Sequence, residues 1–206
     1  MSAHEERHVQ FRTSDGVTLA GDLLVPSACS AGAIVCHPHP QYGGNRFNPV
    51  VEAIYRALPG VGVAALRFDF RSRFDDGIGE RCDARAALEL LHGEVPDLPL
   101  LATGYSFGAL IALAVSDDEL AGRVLVAPPL GHQPSSPPTT VPTLVLTPAH
   151  DQFAPPEATR TIVESWTDAE FATIDMADHF IAGQTGVVAD LITAWVSDRW
   201  PFRSRP

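Results

Sequence analysis

The segment Gly104-Tyr105-Ser106-Phe107-Gly108 has the residue types and spacing of a nucleophilic serine held in a tight turn. It lies between the apolar runs 98–103 and 109–115, which predict a strand before the turn and a helix after it. A serine hydroxyl attacks well only when it is exposed, fixed and next to a base. The two glycines leave space around such a turn, and the Phe107 N–H at the helix start faces a developing negative charge. The simpler interpretation is a Gly-rich turn with a solvent-facing serine.

A base and an orienting acid are needed beside that serine, and this kind of turn predicts the chain order serine, acid, histidine. Asp151 follows the strand-like run 144–146 and is the predicted acid, unless it only caps the next helix. His179 is the last histidine of the chain and follows the last predicted strand, so it is the predicted base rather than a surface-loop histidine. Asp178 ranks below Asp151 as the acid, because side chains of neighbouring residues diverge.

The tetrapeptide His37-Pro38-His39-Pro40 follows the short apolar run 33–36 and is the predicted source of a second oxyanion donor. Proline has no N–H, which leaves His37 and His39. The third position after the strand fits the usual geometry best, so the donor is predicted to be the His39 amide. The two histidines also have a spacing that zinc ligands use, but no further ligand is spaced to join them. We therefore expect no metal and no cofactor.

Substrate binding is assigned to His37, Tyr105 and Arg71. Two structural alternatives stay open: His37 forms hydrogen bonds within its loop, and Arg71, like Arg67, pairs with neighbouring carboxylates. Nearby acidic residues lack the dense ligand pattern of a calcium site and are interpreted as a solvated loop. They are Asp69, Asp75, Asp76 and Glu80.

The elements that must position these side chains alternate along the chain. Continuous apolar runs predict strands buried on both faces, and the stretches between them have helical periodicity. Residues 9–12 and 17–25 flank a turn and predict an antiparallel N-terminal hairpin. This order predicts a single α/β domain over 1–206, with a mostly parallel sheet, helices on both faces and the site at the carboxyl ends of the strands. Segment 128–140 is too short for more than a minimal cap. The expected strands are 33–36, 63–66, 98–103, 123–127, 143–147 and 170–175, and the expected helices are 49–58, 80–92, 109–115, 155–166 and one within 181–200.

Composition narrows the class of protein further. The net charge of −11 argues against nucleic-acid binding, and the absence of lysine excludes Schiff-base chemistry and a P-loop. Three cysteines without a CxxC pattern favour a reducing, cytoplasmic location. The N-terminus lacks an apolar signal core, and glycines and a proline interrupt the long apolar stretch 98–115, so no membrane association is expected. A monomer or homodimer is expected.

Taken together, four stretches resemble the α/β-hydrolase superfamily, in particular its small, cap-poor bacterial members similar to dienelactone hydrolases and short carboxylesterases. The stretches are His37-Pro38-His39-Pro40 with Gly43-Gly44-Asn45, Arg67-Phe68-Asp69-Phe70-Arg71, Gly104 to Gly108, and Ala177-Asp178-His179-Phe180. The resemblance implies a serine esterase or thioesterase that acts on a small substrate through an acyl-serine intermediate, with no cofactor.

One loop departs from that pattern. After Arg71 such sequences continue with a Gly-x-Gly-x-Ser-type loop, whereas here 72–76 has no glycine and is shorter. The loop borders the pocket in the family, so the substrate preference of relatives does not carry over. A lyase or cyclase on the same scaffold and a non-catalytic binding or scaffold protein remain alternatives.

Overall fold

Eight strands and five helices alternate along the part of the chain that the computed structural model describes, residues 6–132 and 139–201. They follow the predicted order and differ from it mainly at their ends. In chain order they are β1 (Glu6–Arg12), β2 (Thr18–Leu24), β3 (Ala31–Cys36), α1 (Pro49–Ala57), β4 (Val63–Phe68), α2 (Ile78–Glu94), β5 (Leu100–Tyr105), α3 (Phe107–Ala114), β6 (Gly122–Val126), β7 (Thr143–Pro148), α4 (Pro156–Val163), β8 (Ala169–Ile174) and α5 (Thr185–Arg199).

The strands form one sheet in the order β1-β2-β4-β3-β5-β6-β7-β8. The pairs β1/β2 and β2/β4 are antiparallel, and every other pair is parallel. This confirms the predicted N-terminal hairpin and the mostly parallel sheet. Because parallel strands need crossover connections, the helices lie on the two faces of the sheet.

Two apolar layers separate the sheet from its helices. One contains side chains of α1 and α5, such as Ile54 and Ile192, and the other contains side chains of α2, α3 and α4, such as Leu88 and Ile111. Strands β3, β4, β6 and β7 are buried along their whole length, as the continuous apolar runs predict. The predicted site residues His39, Ser106 and Asp151 follow strands inside the sheet, whereas His179 follows the edge strand β8.

The chain changes direction between β3 and β5. It leaves β3 to form β4 on one side and returns on the other side of β3 to form β5. Loops from the two neighbouring strands diverge at such a point and leave a crevice at the carboxyl end of the sheet. The His37–Pro40 loop follows β3 and Ser106 follows β5, so both border this crevice.

Helix ends account for most of the differences from the sequence expectation. Helix α2 begins earlier, at Ile78, because the Glu80 carboxylate accepts hydrogen bonds from the Gly77 and Asp75 N–H groups at 2.9 and 3.0 Å. Glu80 is fully buried, which corrects its interpretation as part of a solvated loop.

Helix α4 is shorter than the expected 155–166. It ends at Val163, and a tighter turn follows, in which Trp166 N–H donates to the Val163 carbonyl. Part of the expected connector, 133–138, lies outside the described residues. Within the described ranges, no helix combines the length and apolar character needed to cross a bilayer.

Candidate active site

Ser106 occupies a strained turn between β5 and α3. Its φ of +55° is rare for a residue with a side chain and costs about 1–3 kcal/mol. The Ser106 N–H donates to the Val126 carbonyl at 2.8 Å, which ties the turn to β6. A Cβ on Gly104 would lie 2.1 Å from the Gly108 oxygen, and one on Gly108 would lie 2.2 Å from the Cys36 oxygen. Space alone therefore requires both glycines, and the strand, turn and helix follow the predicted order.

The Ser106 hydroxyl contacts the imidazole of His179. Ser106 Oγ lies 2.9 Å from His179 Nε2, although 73 residues separate them in the chain. His179 is buried in the loop after β8, whereas Ser106 remains partly accessible. A neutral imidazole with its Nε2 lone pair directed at the hydroxyl can accept the serine proton.

Asp151 completes this chain of hydrogen bonds on the other side of the ring. His179 Nδ1 lies 2.8 Å from Asp151 Oδ2 and 3.0 Å from Oδ1. The buried carboxylate keeps the proton on Nδ1, which leaves Nε2 free to accept. Asp151 Oδ1 also accepts the N–H groups of Phe153 and Ala154, which lie in the turn before α4. The N-cap of α4 is Pro155, so Asp151 does not cap this helix and the helix-capping alternative is wrong. The lower-ranked Asp178 is exposed and accepts the Phe180 N–H instead.

The two backbone N–H groups predicted as oxyanion donors belong to Phe107 and His39. Within residues 6–132 and 139–201, neither Phe107 N–H nor His39 N–H donates to another group. Phe107 is the first residue of α3, where N–H groups lack a partner in the helix and the helix dipole favours negative charge. The aromatic rings of Phe107 and His39 have centroids 4.8 Å apart, so the two predicted oxyanion donors come from neighbouring segments.

Comparisons with known proteins identify the family to which this fold belongs. An uncharacterized protein of Rickettsia prowazekii (strain Madrid E) is 32% identical over 173 residues, which cover 74% of this chain and 73% of the relative. An α/β serine hydrolase homologue from Coxiella burnetii superposes with a TM-score of 0.85 at 28% identity, over 92% of this chain and 97% of its own. XC6422 from Xanthomonas campestris, an α/β serine hydrolase without a lid, superposes with a TM-score of 0.88 at 26% identity over 99% of both chains. This chain belongs to the α/β-hydrolase superfamily. No family model matches it.

In this hydrolase, His37 is a structural residue of the loop after β3. Its Nδ1–H donates to the Pro38 carbonyl at 2.6 Å, and its Nε2 accepts the Phe70 N–H at 3.0 Å. The side chain is buried, and burial lowers the pKa of His37, which favours this neutral form. Both ring nitrogens of His37 are thus occupied by the protein's own backbone. These contacts favour the hydrogen-bonding alternative for His37 over its assignment to substrate binding.

The His37 ring also sets the orientation of the next peptide. Carbonyl and N–H point in opposite directions in the trans Pro38–His39 peptide, so holding the Pro38 oxygen directs the His39 N–H away from His37. The Gly44 backbone packs directly against the same peptide, since a Cβ at Gly44 would lie 2.0 Å from the Pro38 oxygen. The Gly44 N–H also donates to the His39 carbonyl at 3.1 Å.

Arg71 pairs with two carboxylates. Its guanidinium contacts the buried Asp83 at 2.8 Å and the exposed Asp15 at 2.8 Å. The backbone N–H of Arg71 also donates to the Asp83 carboxylate at 2.9 Å. These contacts favour the carboxylate-pairing alternative for Arg71 over its assignment to substrate binding. Together with Glu80, the Arg71–Asp83 pair fixes both ends of the short loop 72–77, which carries Phe74.

Tyr105 holds the histidine loop. Its hydroxyl is buried and donates to the His179 carbonyl at 2.7 Å. Burial and the charges of Asp151 and Asp178 raise the pKa of Tyr105, so the hydroxyl keeps the proton that it donates. This hydrogen bond favours a role for Tyr105 in positioning the His179 loop over its assignment to substrate binding.

Aromatic side chains that sequence reasoning missed surround the site on two sides. On the oxyanion side the His39 ring packs against Tyr42 at 4.9 Å and Phe74 at 4.5 Å between ring centroids. On the other side the His179 ring packs against Phe153 at 4.9 Å and Phe180 at 6.0 Å. Phe180 directly follows the predicted base His179, and this position was the one sequence signal that could have placed an aromatic side chain beside the site.

Proposed function

We propose that this protein is a serine hydrolase of small esters or thioesters, with Ser106 as nucleophile, His179 as general base and Asp151 as the residue that orients His179. The observation that carries the proposal is the continuous chain of hydrogen bonds from Ser106 Oγ through His179 to Asp151. Two structural neighbours are described as an α/β serine hydrolase homologue and an α/β serine hydrolase, which supports hydrolysis as the reaction class.

In the first half of the reaction, Ser106 Oγ bonds to the acyl carbon as its proton passes to His179 Nε2. The carbonyl oxygen becomes negative and accepts hydrogen bonds from the Phe107 and His39 amides. The bond from the acyl carbon to the leaving oxygen or sulfur then breaks, and His179 gives its proton to the leaving group. In the second half, water adds to the acyl carbon and loses a proton to His179. The bond from the acyl carbon to Ser106 Oγ then breaks, His179 returns the proton to Oγ, and the carboxylic acid is released.

The test compares Ser106→Ala with wild type on p-nitrophenyl acetate and butyrate. We expect kcat/KM to fall about 10⁴-fold or more, because no other group can form the acyl intermediate. Ser165→Ala is the matched control, since Ser165 is exposed just after the end of α4 and its hydroxyl donates to the Ile162 carbonyl. Equal rates for Ser106→Ala and wild type would refute the proposal.

Trapping with a fluorophosphonate gives a second readout. Peptide mass spectrometry is expected to find the label on Ser106 of the wild type and none on the Ser106→Ala variant. Activity on a natural substrate that depends on Ser106 but proceeds without an acyl-enzyme would favour a lyase or cyclase instead.

A further inference from the structure

Two exposed phenylalanines stand beside the histidine and away from the oxyanion donors. Phe153 follows β7 and Phe180 follows β8, and their side chains are 48% and 63% exposed. Both rings meet the His179 ring edge to face, and their own centroids are 6.5 Å apart. An exposed pair of large apolar side chains at a reactive group is a surface on which a ligand can bury area.

The proton path decides which part of a substrate reaches these rings. On the proposed function, His179 Nε2 must protonate the leaving oxygen, so that oxygen lies next to the His179 ring during bond breaking. The acyl oxygen lies on the other side, towards the Phe107 and His39 amides. The group attached to the leaving oxygen must therefore extend from His179 towards Phe153 and Phe180.

We propose that Phe153 and Phe180 form a leaving-group subsite, and that the preferred substrates are esters whose alcohol portion is flat, apolar and uncharged, such as an aryl group. This inference rests on the proposed function and adds to it the class of leaving group. Ring contacts of this kind prefer an aromatic partner in edge-to-face or offset arrangement over an alkyl chain.

The charges around the subsite favour a neutral leaving group. Segments 148–156 and 175–185, which carry the two rings, contain no arginine or lysine. They do contain Asp175 and Asp178, both exposed. An anionic leaving group would meet like charge with no arginine or lysine from these segments to neutralise it.

The experiment measures selectivity between leaving groups that share one acyl group. The kcat/KM values for phenyl acetate and ethyl acetate are determined for wild type, Phe153→Ala and Phe180→Ala. The ratio of the two values in each protein is then compared, because intrinsic ester reactivity cancels between proteins. We expect the phenyl-over-ethyl ratio to fall about three- to tenfold in each variant, the size of an aromatic pair interaction.

Met176→Ala is the matched control, because Met176 is a large apolar residue that is 82% exposed on the same segment between β8 and α5. Its ratio is expected to stay at the wild-type value. 4-Acetoxybenzoate, which adds a carboxylate to the same leaving group, is expected to be a poorer substrate of the wild type than phenyl acetate. Equal kcat/KM values for these two esters would overturn the preference for a neutral group.

Fluorophosphonate labelling separates the possible failures. An equal fall for phenyl and ethyl acetate, with Ser106 still labelled, would overturn the subsite and show that the rings only shield His179 from water. A wild-type protein that is folded but neither labelled nor active on any ester would refute the proposed function, and this inference with it.

Discussion

Replacing Gly44 by alanine tests how the His39 amide is held. An alanine Cβ at this position would lie 2.0 Å from the Pro38 oxygen and 2.5 Å from the Pro38 carbon. Non-bonded carbon and oxygen atoms need a separation of about 3 Å or more. The Pro38–His39 peptide, or the Gly44 backbone, must therefore move by about 1 Å.

The expected magnitude follows from the role proposed for that peptide. A shift of about 1 Å takes the His39 N–H out of hydrogen-bonding distance of the oxyanion, and removal of one such donor costs about 10²–10³ in kcat. KM should change much less, because the donor stabilises charge that develops only in the transition state. We therefore expect Gly44→Ala to lower kcat on p-nitrophenyl acetate at least about 100-fold.

The control is Gly60→Ala, because a Cβ at Gly60 would meet no atom within 4 Å. Circular dichroism melts show whether each variant is folded at the assay temperature. A folded Gly44→Ala protein with kcat within about threefold of wild type would refute the reasoning, since it would mean that the position of this peptide does not govern the rate.

The remaining predictions concern stability. Burial lowers the pKa of His37 in the folded protein, so the unfolded chain binds this proton first as the pH falls. The free energy of unfolding should therefore decrease below about pH 6.5, by at most about 1.4 kcal/mol per pH unit from this group. His37→Gln should weaken that pH dependence, and urea melts with the same pH dependence in the variant and the wild type would contradict the prediction. Asp83→Asn leaves Arg71 with only its exposed partner Asp15, and breaking a buried pair should cost about 3 kcal/mol of unfolding free energy. Asp15→Asn is the control, and its loss of unfolding free energy should be much smaller. Equal losses for the two variants in thermal or urea melts would show that the burial of Asp83 does not determine the stability of the pair.

The parts of the site that could be predicted are those fixed by local sequence and by chain order. The turn at Ser106 depends on glycines only a few residues away, and each parallel strand shows itself as a continuous apolar run. Asp151 and His179 follow from the positions of strand ends, because the carboxyl ends of parallel strands share one edge of the sheet.

The roles of His37, Tyr105 and Arg71 could not be read in the same way. Each is decided by a partner distant in the chain: Phe70 for His37, the His179 carbonyl for Tyr105 and Asp83 for Arg71. A polar residue near a strand end looks the same in sequence whether it faces a substrate or a buried partner. The tertiary hydrogen bonds that satisfy buried polar groups distinguish these two cases, and they are visible only in the structure.

The position of β8 has a consequence for how activity is lost. His179 follows the outermost strand, which is paired on one side only and is partly exposed along most of its length. Edge elements of this kind open locally at lower free energy than the centre of a sheet. The proposed nucleophile Ser106, by contrast, follows the central strand β5, which is paired on both sides. Local opening at the edge would thus separate the proposed base His179 from Ser106 while the rest of the sheet stays intact. The Tyr105 hydroxyl, which donates to the His179 carbonyl from the end of β5, opposes that opening.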